Sequence, residues 1–332
     1  MSVSDFGVTS DGQQVQMIEI AGGGLVARFL TYGAVLRDLR LDGHGPSLVL
    51  GLNSIEDYQT HSPYFGATAG RCANRIAGGS FEIDGQRFQT DQNFLGKHLL
   101  HGGAGGIGKQ VWRLLDHGAD QVKMGIDLAD GHMGFPGAMS ITAQFSLLKG
   151  GVLDIVYAAK TDAPTLCNIA HHSYFNLTGK ADLAGQILQV DAPAYLPVDA
   201  ELIPTGQASP VKGSEYDFQQ GRDLGAWPKD VLLDHNYCLS QSRGALRDVA
   251  TLTAQDVRMT LKTTEPGLQV YGGAKINVAT PGLDGATYGP FSGVALEPQI
   301  WPDAANNAHF PSALLRPDET YEQRTQYIFA MT

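Results

Sequence analysis

The sequence lacks the segments that mark membrane and secreted proteins. No apolar run approaches the ~18 residues that a membrane-spanning helix needs. The N-terminus carries neither the basic nor the apolar segment of a signal peptide. Cysteine is scarce, with Cys72, Cys167 and Cys238 widely separated. An odd, sparse set of cysteines predicts reduced thiols rather than a disulfide framework. We therefore expect a cytoplasmic protein that does not associate with membranes.

Basic residues are also in short supply. The 332 residues include 23 lysines and arginines against 34 aspartates and glutamates, which gives a net charge of −11 at pH 7. Because an acidic protein repels phosphate groups, neither nucleic acid nor an anionic membrane is expected as the main partner. The charge says little about a neutral ligand, and it leaves both a monomer and a homodimer open.

The motifs of several enzyme classes are missing. There is no phosphate-binding Walker loop and no Gly-x-Ser-x-Gly nucleophile elbow, which argues against nucleotide-dependent chemistry and covalent serine catalysis. There is also no His-x-His, His-Glu-x-x-His or Cys-x-x-Cys spacing, so the ten histidines show no pattern typical of metal ligands. We expect a protein that needs neither a cofactor nor a metal ion.

Alternation of apolar and polar residues is the dominant pattern, and it predicts β-strands. The alternating segments are 25–29, 122–128, 139–147 and 258–262. Residues 81–88 predict a hairpin, because Asp84-Gly85 can supply the positive φ angles of a type I′ turn. The tail at 323–330 predicts a closing strand, and 54–58 predicts a short capped helical turn.

Long helical periods are scarce, and no Ser/Gly-rich or charged linker divides the chain. Many strands joined by short Gly, Pro and Asp turns are typical of an antiparallel sandwich or barrel. The prediction is therefore an all-β protein with one large antiparallel domain over residues 1–332.

Three polar segments, far apart in the chain, carry groups that can move a proton. They are His101 before two glycines, the pair His171-His172, and Glu297 at the end of an apolar run. Imidazole and carboxylate together can remove one proton and donate another near neutral pH. Because adjacent strand residues point to opposite faces, at most one of the two neighbouring histidines can enter a given cleft. The alternative for His101 is a loop histidine without a role.

For Glu297 and His172 we expect raised pKa values, each for a different reason. A carboxylate such as Glu297 at the end of a buried strand is costly unless it is paired or used, and burial raises its pKa and makes it a better base. The alternative is a carboxylate neutralised by an arginine. For His172, nearby carboxylates lead us to expect a pKa above the reference value of about 6.5.

Other segments suit a hydroxyl-rich ligand. The arginines and the asparagine of 70–76 can bind hydroxyl groups, although structural salt bridging is the better interpretation for Arg71. Asp234 can clamp vicinal hydroxyls or cap a turn. The three tryptophans can stack on a sugar ring, but each is more often part of a core. They are Trp112, Trp227 and Trp301.

Six segments taken together resemble the aldose 1-epimerase, or galactose mutarotase, family. They are 70–76 (GRCANRI), 100–103 (LHGG), 172–177 (HSYFNL), 234–237 (DHNY), 266–271 (PGLQVY) and 296–303 (LEPQIWPD). They occur in the family's order and span nearly the whole chain. Each is weak alone, but six in order are a specific pattern.

The resemblance implies a β-supersandwich that interconverts the α and β anomers of a free aldose, such as galactose or glucose, without a cofactor. It implies that Glu297 is the general base at the C1 hydroxyl and that His172 is the general acid at the ring oxygen. His101 assists at the ring oxygen or the neighbouring hydroxyl. The residues implied to hold sugar hydroxyls are Asn74, Arg75, Tyr174, Asp234 and Gln269. Two segments depart from the expected pattern, namely 272–275 and the small loop 104–108.

Two other functions stay open beside this one. A non-catalytic sugar-binding or sugar-sensing protein has no need of both His172 and Glu297, so their joint presence favours an enzyme. An epimerase of a sugar phosphate or a sugar acid calls for several convergent basic groups. Arg71 and Arg75 are the obvious ones in the matched segments, which favours a neutral sugar.

Overall fold

The computed structural model describes residues 2–62 and 64–332, and strands dominate them. The first strands are β1 (Ser2–Val8), β2 (Gln14–Gly22), β3 (Leu25–Leu30), β4 (Val35–Leu41), β5 (Ala67–Ala69), β6 (Arg75–Ile76), β7 (Ser80–Ile83), β8 (Gln86–Gln89), β9 (Leu99–Leu100), β10 (Arg113–His117), β11 (Gln121–Leu128), β12 (Met139–Leu148) and β13 (Val152–Thr161). The later strands are β14 (Thr165–Leu166), β15 (Ala170–His172), β16 (Tyr174–Phe175), β17 (Ile187–Val190), β18 (Ala194–Tyr195), β19 (Ser209–Pro210), β20 (Arg222–Asp223), β21 (Asp234–Cys238), β22 (Arg247–Thr253), β23 (Val257–Thr263), β24 (Gly267–Tyr271), β25 (Val294–Gln299), β26 (Leu314–Leu315) and β27 (Tyr321–Met331).

Helical structure is confined to short pieces between the strands. The α-helix of the described residues is α1 (Ile55–His61). Short 3₁₀ turns lie at Ala77–Gly79, Ile107–Lys109, His132–Gly134, Leu224–Ala226, Leu283–Gly285 and Ala304–Asn306. The Oγ of Ser54 accepts a hydrogen bond from the Asp57 N–H at 3.1 Å and so caps α1. The capped turn predicted at 54–58 is confirmed.

The strands pair antiparallel in two large sheets and several small ones. The largest sheet has nine strands in the order β10-β11-β12-β13-β27-β23-β22-β17-β20. A second sheet has six strands in the order β16-β25-β24-β21-β18-β19, and β1 to β4 form a four-stranded meander. The two-stranded pairs are β14-β26, β15-β5, β6-β9 and β7-β8. The all-β, antiparallel fold class is confirmed.

Period-two alternation located four of the strands correctly. The predicted strands at 25–29, 122–128, 139–147 and 258–262 correspond to β3, β11, β12 and β23. In the hairpin of β7 and β8, Asp84 and Gly85 have φ angles of 51° and 81°, as a type I′ turn requires. The tail strand β27 lies between β13 and β23 in the middle of the largest sheet.

One large cluster of buried apolar residues forms most of the core. It runs from Ile18 to Phe329 and includes Trp112 and Trp227, whereas Trp301 packs on Phe310 in a smaller cluster. Each indole N–H donates to a backbone carbonyl, and none of the three tryptophans lines the cavity described below, so all three are structural rather than sugar-stacking residues. The wide span of the cluster supports a single domain over residues 1–332, which stays a prediction.

The cysteines and the helical segments are relevant to the predicted cellular location. All three cysteine thiols are free and buried, and burial raises the pKa of the Cys72 thiol to about 12. Across residues 2–62 and 64–332, no helix combines the length and the apolar character needed to cross a bilayer. The cytoplasmic location stays a prediction.

Candidate active site

A cavity of about 210 Å³ opens at one end of the six-stranded sheet, and it gathers segments that are distant in the chain. Its lining residues are Tyr64, Asn74, Arg75, Phe94, Leu100, His101, His172, Tyr174, Asp234, Gln269, Tyr271, Lys275 and Glu297. All eight site residues predicted from the sequence are among them. The fold therefore brings together every residue that the sequence singled out for catalysis or for hydroxyl binding.

Three neighbouring strands supply the acidic and amide groups of the cavity. Gln269 on β24 lies directly opposite Glu297 on β25. Asp234 begins β21, the next strand of the same sheet, two registers along from Gln269. Because cross-strand and diagonal neighbours on one face approach within side-chain reach, Gln269 Nε2 donates to Asp234 Oδ1 at 2.6 Å.

Strand β15 places His172 in the cavity and its neighbour outside it. β15 pairs with β5, with His172 opposite Ala67. His171 points the other way, where its Nε2 lies 2.7 Å from the Ser173 hydroxyl and its ring packs on Phe145 and Tyr327. The prediction that one histidine of the pair enters the cleft is confirmed.

His172 and Glu297 form a buried acid–base pair. The His172 Nε2 is 3.5 Å from the Glu297 Oε1, and the two residues are only 4% and 2% exposed. Among the described residues, the His172 Nδ1 and the Glu297 Oε2 are buried without a hydrogen-bond partner. Buried polar atoms in native proteins are almost always satisfied, so these two atoms indicate that the cavity accommodates a polar ligand.

The pKa of each group departs from its ordinary value for a physical reason. Burial raises the pKa of Glu297 well above its usual range, and the charge of Asp234 adds to this while Arg75 opposes it. The raised pKa of Glu297 agrees with the expectation from the sequence. Burial lowers the pKa of His172 to about 4, and the nearby Asp234 charge only partly opposes this. The expectation that carboxylates raise the pKa of His172 is wrong, because desolvation of the imidazolium outweighs their attraction.

A network of charged and amide groups faces the acid–base pair. Arg75 Nη2 contacts Asp234 Oδ2 at 3.3 Å, and Arg75 Nη1 donates to the Asn74 Oδ1 at 3.4 Å. The Arg75 guanidinium also lies over the Phe94 ring at 4.7 Å. Asp234 is therefore part of this network rather than a turn cap, and Arg75 pairs with Asp234 rather than neutralising Glu297. The buried Gln269 Oε1 and Arg75 Nε have no partner among the described residues.

His101 is held in one neutral form by the backbone. Its Nδ1 accepts a hydrogen bond from the Asn74 N–H at 3.2 Å, so the proton of the neutral ring sits on Nε2. Burial lowers the pKa of His101 well below its usual value, and the charges of His172, Arg75 and Lys109 lower it further. His101 is thus a neutral hydrogen-bond donor in the cavity wall and not an isolated loop histidine.

Arg71 lies outside the cavity, as its structural interpretation implied. Its Nη1 donates to the carbonyl oxygens of Pro136 and Gly137 at 3.0 and 2.8 Å. These bonds tie its segment to a neighbouring loop. The predicted partner type was wrong, because backbone carbonyls rather than a carboxylate bind this guanidinium.

The chain matches a family model described as aldose 1-epimerase over residues 16–328. The chain belongs to the aldose 1-epimerase family. The human protein named galactose mutarotase is 35% identical over 333 residues, covering 97% of this chain and 96% of that protein. The Escherichia coli protein named aldose 1-epimerase is 32% identical and covers 96% of both chains.

Solved structures agree with this aldose 1-epimerase assignment. An aldose epimerase homologue from C. elegans superposes with a TM-score of 0.88 at 29% identity, covering 95% of this chain and 99% of that one. A galactose 1-epimerase from Lactobacillus acidophilus gives a TM-score of 0.86 at 26% identity, covering 99% and 98%. The expected galactose mutarotase-like fold is confirmed.

The aldose 1-epimerase cavity also contains residues that sequence reasoning missed. They are Tyr64, Phe94, Leu100, Tyr271 and Lys275. Tyr271 is the last residue of a matched segment, and its hydroxyl accepts the Lys275 N–H at 2.7 Å, so the unusual segment 272–275 folds back and forms part of the wall. Tyr64 and Phe94 lie on loops without a motif, and no local pattern pointed to them.

One cluster of potential metal ligands coincides with the acid–base set of this aldose 1-epimerase. His101, His172 and Glu297 offer ligand atoms that lie within 4.8 Å of one another. Ligand atoms in a tetrahedral zinc site with bonds of 2.0–2.1 Å lie only about 3.3 Å apart. At 3.5 Å, the His172 Nε2 and the Glu297 Oε1 lie close to that spacing, so independence from metal rests on the sequence pattern and stays a prediction.

Proposed function

We propose that the protein is a cofactor-independent aldose 1-epimerase that interconverts the α and β anomers of a free aldose. The observation that carries the proposal is the buried pair of His172 and Glu297, 3.5 Å apart in a cavity that Asn74, Arg75, Asp234 and Gln269 also line. Galactose is the first candidate substrate, since the mammalian relatives are named galactose mutarotase. Glucose is the second.

Ring opening requires one proton to leave the C1 hydroxyl and another to reach the ring oxygen. In the proposed reaction Glu297 takes the first proton, the bond between C1 and the ring oxygen breaks, and His172 delivers the second. The product is an open-chain aldehyde, and rotation about C1–C2 exposes its other face. Ring closure then reverses both transfers, so the protein returns to its starting protonation state.

The remaining cavity residues are proposed to hold the sugar. Asp234 offers carboxylate oxygens to hydroxyl donors, while Arg75 donates to hydroxyl oxygens. The unpartnered Gln269 Oε1 is a further acceptor. With its proton on Nε2, His101 donates to the ring oxygen or to the neighbouring hydroxyl. Asn74 and Tyr174 complete the set.

The two alternatives are not favoured. A sugar-binding protein without catalysis has no use for a buried base whose pKa is raised and an imidazole beside it, and the relatives carry enzyme names. A sugar phosphate or sugar acid calls for convergent basic groups, yet the cavity arginine, Arg75, is already paired with Asp234.

The test uses pure anomers. Freshly dissolved α-galactose, α-glucose and a panel of other aldoses are followed by polarimetry or NMR with and without the protein. We expect at least one neutral aldose to equilibrate faster with the protein than in buffer. The Glu297→Gln substitution should abolish most of this increase in rate. An unchanged rate for every sugar contradicts the enzyme assignment.

Independence from metal is tested separately. The protein is dialysed against EDTA and assayed before and after addition of Zn²⁺, Mg²⁺ or Mn²⁺. We expect unchanged activity and less than stoichiometric metal by elemental analysis, because the sequence lacks the ligand spacing of the common metal motifs. Activity lost on chelation and restored by one metal contradicts this.

A further inference from the structure

Tyr64 lines the cavity, but it belongs to no sequence motif and has no role in the proposed reaction. Its ring centroid lies 4.6 Å from the ring centroid of His101 and 5.8 Å from that of His172, nearly parallel to the latter at 26°. The two imidazoles contact each other edge to face at 5.2 Å. One aromatic side chain thus covers both histidines on one side of the cavity.

The backbone holds Tyr64 there at some cost. Its φ angle is 67°, a left-handed conformation that non-glycine residues seldom adopt. The turn that follows is tied to the site, since the Gly66 N–H donates to the His172 carbonyl at 3.1 Å and the Ala67 N–H donates to the Tyr64 carbonyl at 3.1 Å. The turn then enters β5, which pairs with the strand of His172.

Lys109 also contacts the Tyr64 ring. Its Nζ is 5.4 Å from the Tyr64 ring centroid, within the range of a cation–π contact. The small loop 104–108 makes this approach possible, because a Cβ at Gly108 would stand 3.1 Å from the Thr68 carbonyl oxygen and 3.6 Å from the Tyr64 Cδ1. Lys109 is exposed and directly follows this glycine-rich loop, which departs from the family pattern, so the loop brings its ammonium group to the Tyr64 ring at the edge of the cavity.

We propose that Tyr64 and Lys109 are positioning residues that shield the two histidines from water and keep His101 neutral, so that His172 is the imidazole that carries the catalytic proton. This inference rests on the proposed function. It assigns the unusual loop a role in choosing which histidine acts as the acid.

The charges around the two rings support this division. The groups facing His101 are His172, Arg75, Lys109 and the Tyr64 ring. The groups facing His172 are Glu297, Asp234, His101 and the aromatic rings of Tyr64 and Tyr174. His101 thus faces cations, whereas His172 faces two carboxylates. Where both rings are buried, the proton goes to the ring with the anionic neighbours.

The Tyr64 hydroxyl is not needed for this role. Burial raises the pKa of Tyr64 to about 12, so the phenol stays neutral at working pH. What the side chain contributes is an aromatic surface that packs on the imidazoles. Tyr64→Phe keeps that surface, whereas Tyr64→Ala removes it and opens the histidines to water.

The experiment compares Tyr64→Ala, Tyr64→Phe and Lys109→Gln with Lys160→Gln, an exposed lysine on β13. Mutarotation of galactose is measured across pH, and NMR titration of the histidine rings is recorded on the same proteins without sugar. We expect Tyr64→Ala to lose about tenfold or more in kcat, because small displacements of catalytic groups are costly, with KM changed less. Tyr64→Phe should restore most of the rate.

The Lys109→Gln variant tests the electrostatic part of the proposal. Removing the positive charge should raise the pKa of His101, so the His101 ring should take up a proton at higher pH in the NMR titration. Lys160→Gln should leave this titration unchanged. Wild-type kcat in Tyr64→Ala, or an unmoved His101 titration in Lys109→Gln, overturns the inference. The titration needs no activity, so its outcome is separate from any failure of the proposed function.

Discussion

At the residue scale, the acid–base pair is best considered as two groups that share one proton. Burial raises the pKa of Glu297 and lowers that of His172, so in the empty cavity the shared proton favours the carboxyl. Catalysis starts from the other arrangement, with Glu297 ionised and His172 protonated. The form with Glu297 ionised and His172 protonated is therefore the minor one, and the substrate must bind it or favour it through its own hydrogen bonds. The proton has only a short way to move, because the two atoms are 3.5 Å apart.

This sharing predicts a bell-shaped pH dependence of kcat/KM. The pair takes up its second proton only below the lowered pKa of His172, about 4, which sets the acid limb. It loses its last proton above the raised pKa of Glu297, which sets the alkaline limb. Between the limbs the pair carries one proton and the rate is high. Initial rates are measured by polarimetry, with the spontaneous rate subtracted at each pH.

His172→Asn is the control for that profile. Asparagine cannot deliver a proton, so the variant should lose most of the catalysed rate at every pH, about 10²-fold or more for a general acid. A variant that kept nearly full activity and the same alkaline limb would show that His172 is not the acid. The role would then pass to His101.

Neutralising Asp234 is expected to change KM, whereas neutralising Glu297 is expected to change kcat. Asp234→Asn weakens contacts that exist in both the ground state and the transition state, so KM should rise about tenfold to a hundredfold while kcat changes little. Glu297→Gln removes a group that acts as the proton moves, so kcat should fall by about 10² to 10⁴. Steady-state kinetics of both variants make the comparison. Equal losses of kcat at constant KM would refute this division.

At the element scale, local pattern predicted the strands but not the loops that complete the cavity. β11, β12 and the 81–88 hairpin follow from alternation and from a two-residue turn, because both signals are local. The motif residues lie together in the cavity, although Gln269 and Glu297 belong to the six-stranded sheet and His172 to the small β15-β5 pair. Tyr64 and Phe94 lie on loops whose positions depend on residues far away, such as His172 and Arg75, and no local signal encodes that.

The pKa of His172 escaped prediction for a related reason. The sequence shows which charges lie in its motifs, but it does not show how completely the imidazole loses water. Once the fold buries it, desolvation is the largest influence and the carboxylates become secondary. The direction for Glu297 could be predicted, because burial and a neighbouring carboxylate both raise its pKa.

The turn after His101 gives a test at this scale. Gly102 has a φ of +83°, and a Cβ there would lie 2.0 Å from the Gly70 carbonyl oxygen. Gly102→Ala should therefore cost more than about 3 kcal/mol of unfolding free energy, since strain and overpacking add, and it should displace His101. Gly85→Ala is the matched control, because Gly85 has a similar φ of +81° with nothing within 4 Å. Urea unfolding should show only about 1 kcal/mol for the control. Equal effects would mean that the close approach is unimportant.

At the scale of the whole molecule, the last strand joins two distant parts of the chain within one sheet. β27 pairs with β13 on one side and with β23 on the other, so the nine-stranded sheet is complete only when the C-terminal strand is in place. The same cluster that contains Ile18 contains Phe329. The cavity depends on this closure, because Tyr327 donates from its hydroxyl to the Leu296 carbonyl, next to Glu297.

This connectivity predicts one cooperative unfolding transition, although chains beyond about 150 residues often populate intermediates. Trp112 and Trp227 lie in the large apolar cluster and Trp301 in a smaller one. Fluorescence of a variant that keeps only Trp301, with phenylalanine at the other two positions, should therefore follow the same urea curve as far-UV circular dichroism of that variant. The urea curve of wild-type fluorescence is the control for the replacements, because two of the three tryptophans lie in the large cluster. If Trp301 reported a separate, earlier transition while circular dichroism stayed native, the chain would contain a second unit around the smaller cluster. The single domain over residues 1–332 would then be wrong.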